Sequence, residues 1–147
     1  MRILYVEDNL LNLCLVERIA RLGQHEVINY SYAEMALRNF DRDRPDLVLV
    51  DLRLEGNMTG IDLIGQLRAT HHTQPVVVIT AAADDDIRKE CFDAGCDEYF
   101  IKPLPVRELV RILQRYVDEL SPTARRLATQ EMAPIAFSPQ EPPSAKL

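Results

Sequence analysis

Apolar residues fall along this chain in two kinds of run. The short runs RILYV, DLVLV, VVVI and YFI show no alternation of apolar and polar positions. That is the pattern of strands buried on both faces, as in a parallel sheet. Each run is followed by a longer segment with helix signals, and the alternation occurs five times. The pattern predicts strands over Arg2–Glu7, Glu26–Tyr30, Asp46–Asp51, Pro75–Thr80 and Glu98–Ile101. It predicts helices over Leu10–Leu22, Ser31–Asp43, Gly60–His71, Asp84–Ala94 and Pro105–Glu119.

Boundary residues support these spans. Asn9 is placed to cap the first helix and Gly23 to stop it. Ser31 and Glu34 have capping-box spacing at the start of the second helix, and Pro45 prevents that helix from continuing. Gly95 stops the fourth helix, whose first turn carries Asp84, Asp85 and Asp86, where negative charge suits the helix dipole. Pro105 suits the first turn of the fifth, whose core stripe is read as Val106, Leu109, Val110, Leu113 and Val117. Arg107, Arg111 and Arg115 occupy another face of that helix, read as solvated or as a docking surface.

Five βα repeats imply an α/β fold, a parallel sheet with helices on both faces. Right-handed crossovers leave the doubly wound, flavodoxin-like order 2-1-3-4-5 as the simplest topology, a (βα)5 three-layer sandwich. Ligands in such sheets bind outside the carboxyl ends of the strands, at the switch point between strands 1 and 3. A single domain over residues 1–120 is expected. Residues 121–147 contain Pro122, Pro134, Pro139, Pro142 and Pro143 and read as a tail, with a short helix around TARRLATQEM and disorder from Ala133 onward. The tail is too short for a second domain, so no DNA-binding or catalytic output module is expected.

The net charge of −6 makes non-specific nucleic-acid or anionic-membrane binding a poor expectation. No apolar run approaches the roughly 20 residues of a membrane span. The first residues enter a strand at once, without a signal-like region, so a cytoplasmic location is expected. Cys14, Cys91 and Cys96 lack paired zinc-site spacing and read as reduced thiols. His71 and His72 read as a solvated helix end.

The chemistry gathers at the strand ends. The first strand ends in Glu7 and Asp8, the third in Asp51, the fourth in Thr80 and the fifth in Lys102-Pro103. Paired acids at a strand end can merely cap the next helix, and Asp before a turn is common. Several carboxylates at one edge, however, repel unless a cation lies between them. Mg²⁺ takes one or two carboxylates together with waters and phosphate oxygen. An aspartate beside such a cation and a lysine is placed to be a nucleophile on a phosphoryl group.

Those residues, in order and spacing, resemble the response-regulator receiver domain of bacterial two-component signalling, similar in fold to the chemotaxis regulator of that family. The resemblance covers about Met1–Glu119. It implies Asp51 as phospho-acceptor, with Mg²⁺ held by the Asp8 and Asp51 carboxylates, by Glu7 through a water and by the Arg53 backbone carbonyl. It implies Lys102 on a phosphoryl oxygen, Thr80 and Tyr99 as a switch pair, and a cis peptide bond at Lys102-Pro103. Strand alternation by itself puts Tyr99 and Lys102 on opposite faces, and an aromatic there is also plain core packing.

The chain departs from the family pattern after Asp51. The stretch LRLEGNMT is a residue longer than the commonest loop, with Glu55 where Pro is frequent, and Gly56-Asn57 suggests a tight turn. The family's rate-tuning positions are Arg53 and Ala82. Ala82 has no polar group to position a hydrolytic water.

The expected function is a stand-alone response regulator that is a phospho-acceptor rather than an enzyme, apart from turnover of its own aspartyl phosphate. It would take its phosphoryl group from a histidine kinase or phosphotransfer protein. Output would pass through the face of the fourth helix, fifth strand and fifth helix to an unidentified protein target, or to a homodimer formed on phosphorylation. Two other readings stand beside it. An aspartate-nucleophile phosphohydrolase of the haloacid-dehalogenase type needs a second Asp two residues after the nucleophile, where this chain has Arg53. A pseudo-receiver that only binds proteins has no need of self-repelling acids.

Overall fold

The computed structural model describes residues 1–122. Its elements are β1 (Arg2–Val6), α1 (Leu10–Leu22), β2 (Glu26–Tyr30), α2 (Ala33–Asp43), β3 (Leu47–Val50), α3 (Gly60–Ala69), β4 (Val76–Thr80), α4 (Asp85–Ala94), β5 (Glu98–Ile101) and α5 (Val106–Leu120). The strands form one parallel sheet in the order β2-β1-β3-β4-β5, as expected for a flavodoxin-like α/β fold. The tail helix and disorder expected beyond Pro122 lie outside the described residues.

The unbroken apolar runs work because strand alternation sends successive side chains to opposite faces, and both faces are covered. Leu4, Val6, Val48, Val50, Val76 and Val78 pack with Phe40 of α2, with Leu63, Ile64 and Leu67 of α3 and with Cys91 of α4. Ile3, Tyr5, Leu47, Leu49, Val77 and Ile79 pack with Val16 and Ile19 of α1 and with Leu109, Ile112, Leu113 and Tyr116 of α5. Each fully buried aliphatic side chain contributes about 1.5–3 kcal/mol. The central strands, buried almost throughout, are therefore firmly held, and their C-terminal ends stay in register.

Several boundaries differ from those expected. Val6 and Val50 end their strands, so Glu7 and Asp51 stand just beyond the sheet, where their side chains can turn toward one another. α2 is entered through Tyr32 with no side-chain cap, and Glu34 is used elsewhere, so the Ser31–Glu34 capping box does not form. A capping box occurs instead on α3, between Thr59 and Asp62. α3 ends at Ala69, and His71 takes a positive φ of 66°. The stripe of α5 is also displaced. Val106 and Val110 are about half exposed, while Ile112 and Tyr116 join Leu109 and Leu113 in the core. His72 is no free helix end, because its ring lies 4.5 Å from that of Phe40 and its Nε2 lies 3.5 Å from Asp41.

Other signals act as read. Asn9 accepts hydrogen bonds from the N–H groups of Leu11 and Asn12, and Gly95 ends α4 with a left-handed φ of 111°. The thiols of Cys91 and Cys96 are free, and burial pushes them up to about 11 and about 12. They stay protonated at neutral pH. Among the described residues, no helix is long and apolar enough to cross a membrane.

At the opposite end of the sheet from Glu7 and Asp51, Arg68 of α3 joins its helix to the α3–β4 and α4–β5 connections. Its guanidinium donates to the carbonyls of Gly95 (3.0 Å), His72 (2.8 Å) and Gln74 (3.0 Å) and to the Asp97 carboxylate (3.1 Å). Asp97 in turn accepts from the Val76 N–H at 2.7 Å. Near the acids, α3 approaches β3 so closely that a Cβ on Gly60 would lie 2.4 Å from the Asp51 carbonyl oxygen and 2.9 Å from the Leu52 Cα. Gly65, one turn and a residue further along the same helix, has nothing within 4 Å of an added Cβ.

The two glycines predict opposite responses to one added methyl group. Gly60→Ala is expected to destabilise the domain by about 1–3 kcal/mol through overpacking against backbone. Gly65→Ala is expected to stabilise it by roughly 0.5–1 kcal/mol through backbone entropy. Urea unfolding measures both, and a neutral Gly60→Ala would refute the close approach.

Candidate functional site

β1 and β3 are neighbours whose crossovers leave on opposite faces of the sheet, so the loops after them part and open a cleft at their C-terminal ends. Glu7 and Asp51 line it, both buried, and Asp8 stands on its solvent side. Glu7, Asp8 and Asp51 each offer a carboxylate oxygen within 4.8 Å of the others. Lys102 enters from β5. Its backbone N–H donates to the Thr80 carbonyl at 2.8 Å, which fixes where the side chain starts. Its Nζ then lies 2.6 Å from Glu7 Oε2 and 2.8 Å from Asp51 Oδ2. Burial works against the Lys102 charge, but hydrogen bonds and attraction from Asp51 and Glu7 outweigh it and raise the pKa above its ordinary value. The ammonium is thus charged throughout the neutral range. The Lys102-Pro103 peptide bond is cis.

Glu7 has further partners that the sequence reading missed. Its Oε1 accepts from the Asn9 N–H at 3.0 Å, and its Oε2 from the Tyr5 hydroxyl at 3.0 Å and from Asn12 Nδ2 at 3.4 Å. Burial, followed by the charge of Glu7, pushes the Tyr5 phenol far above its ordinary pKa, so it remains a donor. A signal was available for Tyr5, which precedes Glu7 by two residues and so shares its face of the strand. Asn12 had none, because its reach depends on how α1 leaves the sheet.

Asp51 keeps one oxygen for the Arg53 N–H at 3.2 Å and the other for Lys102. Three carboxylates at one open edge, with a loop backbone beside them, suit a hard divalent cation, which prefers oxygen ligands. Glu7, Asp8 and Asp51 are the residues that can hold it.

Thr80 and Tyr99 meet at a single residue. The Thr80 hydroxyl, fully buried, accepts from the Ala82 N–H at 3.3 Å. The Tyr99 hydroxyl donates to the Ala82 carbonyl at 2.6 Å. Tyr99 lies inside the core on the α2–α3–α4 side of the sheet, away from the Lys102 side chain at the edge. Burial raises its pKa. Arg88 of α4 lies 5.8 Å from the centroids of both Tyr99 and Phe92, within cation–π range.

A cavity of about 330 Å³ adjoins Lys102 on the α1–α5 side, lined by Asn12, Leu15, Val16, Leu104 and Leu109 among others. A larger cavity, about 660 Å³, is bounded by Phe40, Arg44, His72 and Pro75 at the other end of the sheet and is remote from the carboxylates.

The chain is 32% identical to the transcriptional regulatory protein PrrA of Mycobacterium leprae over 95% of its own length and 58% of PrrA. It is 37% identical to the two-component response regulator PhoP of Pseudomonas aeruginosa over 74% of its own length and 48% of PhoP. It thus spans about half the length of these curated relatives. Among solved structures, the receiver domain of the sensor histidine kinase PA1611 from Pseudomonas aeruginosa, with a magnesium ion coordinated in its active-site cleft, superposes with a TM-score of 0.71. That match is at 34% identity and covers 80% of this chain and 97% of that one. The response regulator receiver domain model matches residues 3–114. With the β2-β1-β3-β4-β5 sheet and its acidic edge, this match makes the chain a member of the response regulator receiver domain family.

Proposed function

We propose that Asp51 accepts a phosphoryl group from the phosphohistidine of a histidine kinase or phosphotransfer protein, and that the result is read on the α4–β5–α5 face. The observation that carries this reading is the meeting of Glu7, Asp8 and Asp51 with Lys102 Nζ at 2.8 Å from the acceptor. An Asp51 oxygen forms a bond to phosphorus as the donor's P–N bond breaks, and the electron pair leaves on the imidazole nitrogen. Lys102, already hydrogen-bonded to the Asp51 carboxylate, can transfer that hydrogen bond to the new phosphoryl oxygens. Mg²⁺, held by Glu7, Asp8, Asp51 and the Arg53 carbonyl, would supply charge neutralisation between the anionic acceptor and donor. Tyr5, Asn12 and the Asn9 N–H keep Glu7 satisfied while Lys102 is engaged elsewhere.

The phosphoryl group gains leverage on distant structure through Ala82. When the Thr80 hydroxyl turns toward a phosphoryl oxygen, it gives up the Ala82 N–H, and the segment leading into α4 loses one of its two ties. Tyr99 holds the other through the Ala82 carbonyl. A ligand shifts a two-state element only by its differential affinity for the states, and this exchange of hydrogen bonds provides a difference.

Two outcomes are expected. Acetyl phosphate with Mg²⁺ should label the wild-type protein and Asp84→Asn but not Asp51→Asn, and a chelator should abolish labelling. Mass spectrometry reads this, and chelator-resistant labelling would remove the cation from the mechanism. Beryllofluoride should alter amide hydrogen exchange across Ala81–Ile101 in the wild type. In Thr80→Ala it should still bind at Asp51 yet leave that region unchanged. An equal response in Thr80→Ala would refute the switch while leaving the acceptor role standing.

A further inference from the structure

The stretch after Asp51 in which the sequence departs from the family pattern is held by a residue outside the site. Glu34, at the start of α2, accepts from the N–H groups of Asn57 at 2.8 Å and Met58 at 3.0 Å through Oε1. The adjoining Tyr32 pairs with Glu55 in an isolated parallel bridge, and its hydroxyl donates to Glu55 Oε2 at 3.2 Å. Between these attachments Gly56 adopts a φ of 97°, and a Cβ there would come within 3.0 Å of both Glu34 Oε1 and the Tyr32 ring. Only glycine accepts that backbone and that proximity together. Its own N–H and that of Asn57 hold the Glu34 carboxyl below its ordinary pKa. Its second oxygen is buried without a partner.

At its near end the loop is tied differently. The Arg53 N–H donates to Asp51 Oδ1 at 3.2 Å, and the Gly60 N–H donates to the Leu52 carbonyl at 3.2 Å. Arg53 therefore lies between two anchors, the acceptor itself on one side and Glu34 on the other. A longer loop has more conformations to lose, and an anchor at its far end removes them.

We propose that Glu34 is a positioning residue: by fastening Asn57 and Met58 to the start of α2, it fixes the course of residues 52–59 and with it the backbone of Arg53. This rests on the reading above for the role of the Arg53 carbonyl toward a divalent cation. Glu34 touches neither the cation nor the phosphoryl group, and it acts through the loop alone.

The test compares the full chain, Glu34→Ala, Glu34→Gln and Glu34→Met by calorimetric Mg²⁺ titration and by amide hydrogen exchange without metal. Partners outside the ligand shell typically change metal affinity by 10–100-fold, and Glu34→Ala is expected at the low end, about tenfold weaker. Glu34→Gln keeps an oxygen for both N–H groups and should stay near the wild-type affinity. Glu34→Met, of like volume but with no oxygen to accept them, should be as weak as Glu34→Ala, a difference that a merely space-filling role would not produce. Exchange should quicken in Glu34→Ala from Arg53 through Met58. Faster exchange at Asn57 and Met58 with Arg53 unchanged would overturn the proposal, as would a Glu34→Gln variant as impaired as Glu34→Ala. Absence of Mg²⁺ binding in the wild type would defeat the cation reading instead. The Arg53 exchange rate alone would then decide the clamp.

Discussion

Three carboxylates whose oxygens lie within 4.8 Å of one another repel at a strand edge unless a counter-charge lies among them. Two like unit charges about 4 Å apart cost roughly 4 kcal/mol at an effective dielectric constant of 20. A domain of this kind is stable by only about 5–15 kcal/mol. Lys102 relieves that repulsion by bridging Glu7 and Asp51. It does so from β5, which is not a neighbour of β1 or β3, and it can reach only because its own N–H is fixed to the Thr80 carbonyl at the end of β4. The strand order, the length of β4 and the lysine side chain are therefore parts of one electrostatic solution. Under the proposed function, the same ammonium that lets the acids coexist is the one that would meet an incoming phosphoryl group.

Most of the sheet was legible in the sequence because burial on both faces leaves no freedom in composition. Runs such as LVLV cannot face water on either side. The C-terminal strand ends, and so the placement of Glu7, Asp8, Asp51, Thr80 and Lys102 at one edge, followed from those runs and the crossover rule. Position at an edge is not yet contact, and the contacts were harder to read. Tyr5 was one alternation step from being noticed. Glu34 was assigned to a local cap because Ser31 had the right spacing, but the tertiary bonds to Asn57 and Met58 outweighed a local one. The sequence reads the α5 stripe through Val106 and Val110 because they fall at helical spacing with Leu113 and Val117. Packing against α1 and the sheet chose Ile112 and Tyr116, the latter helped by a hydrogen bond from its hydroxyl to Glu98.

Ala82 illustrates a different limit. As a side chain it has no polar group, and its sequence position suggested only a missing one. Its peptide groups are what matter in the fold, with the N–H given to Thr80 and the carbonyl to Tyr99. Side-chain identity is silent about such use, and a small residue suits it because nothing beyond Cβ obstructs the two partners.

The Arg68 anchor has a mechanical meaning for the helix beside it. The C-terminal end of α4 is fixed, because the Gly95 carbonyl is bonded to a guanidinium that also grips the approach to β4 and, through Asp97, the start of β5. Among the described residues, the N-terminal end is held more lightly, by the packing of Ile87 and by Arg88 over the Tyr99 ring. Asp84 caps only its own helix, and the preceding segment depends on the Ala82 ties. A rod clamped at one end and lightly held at the other swings rather than slides, so under the proposed switch a small displacement beside Thr80 would become an angular change along α4, with its pivot at Gly95.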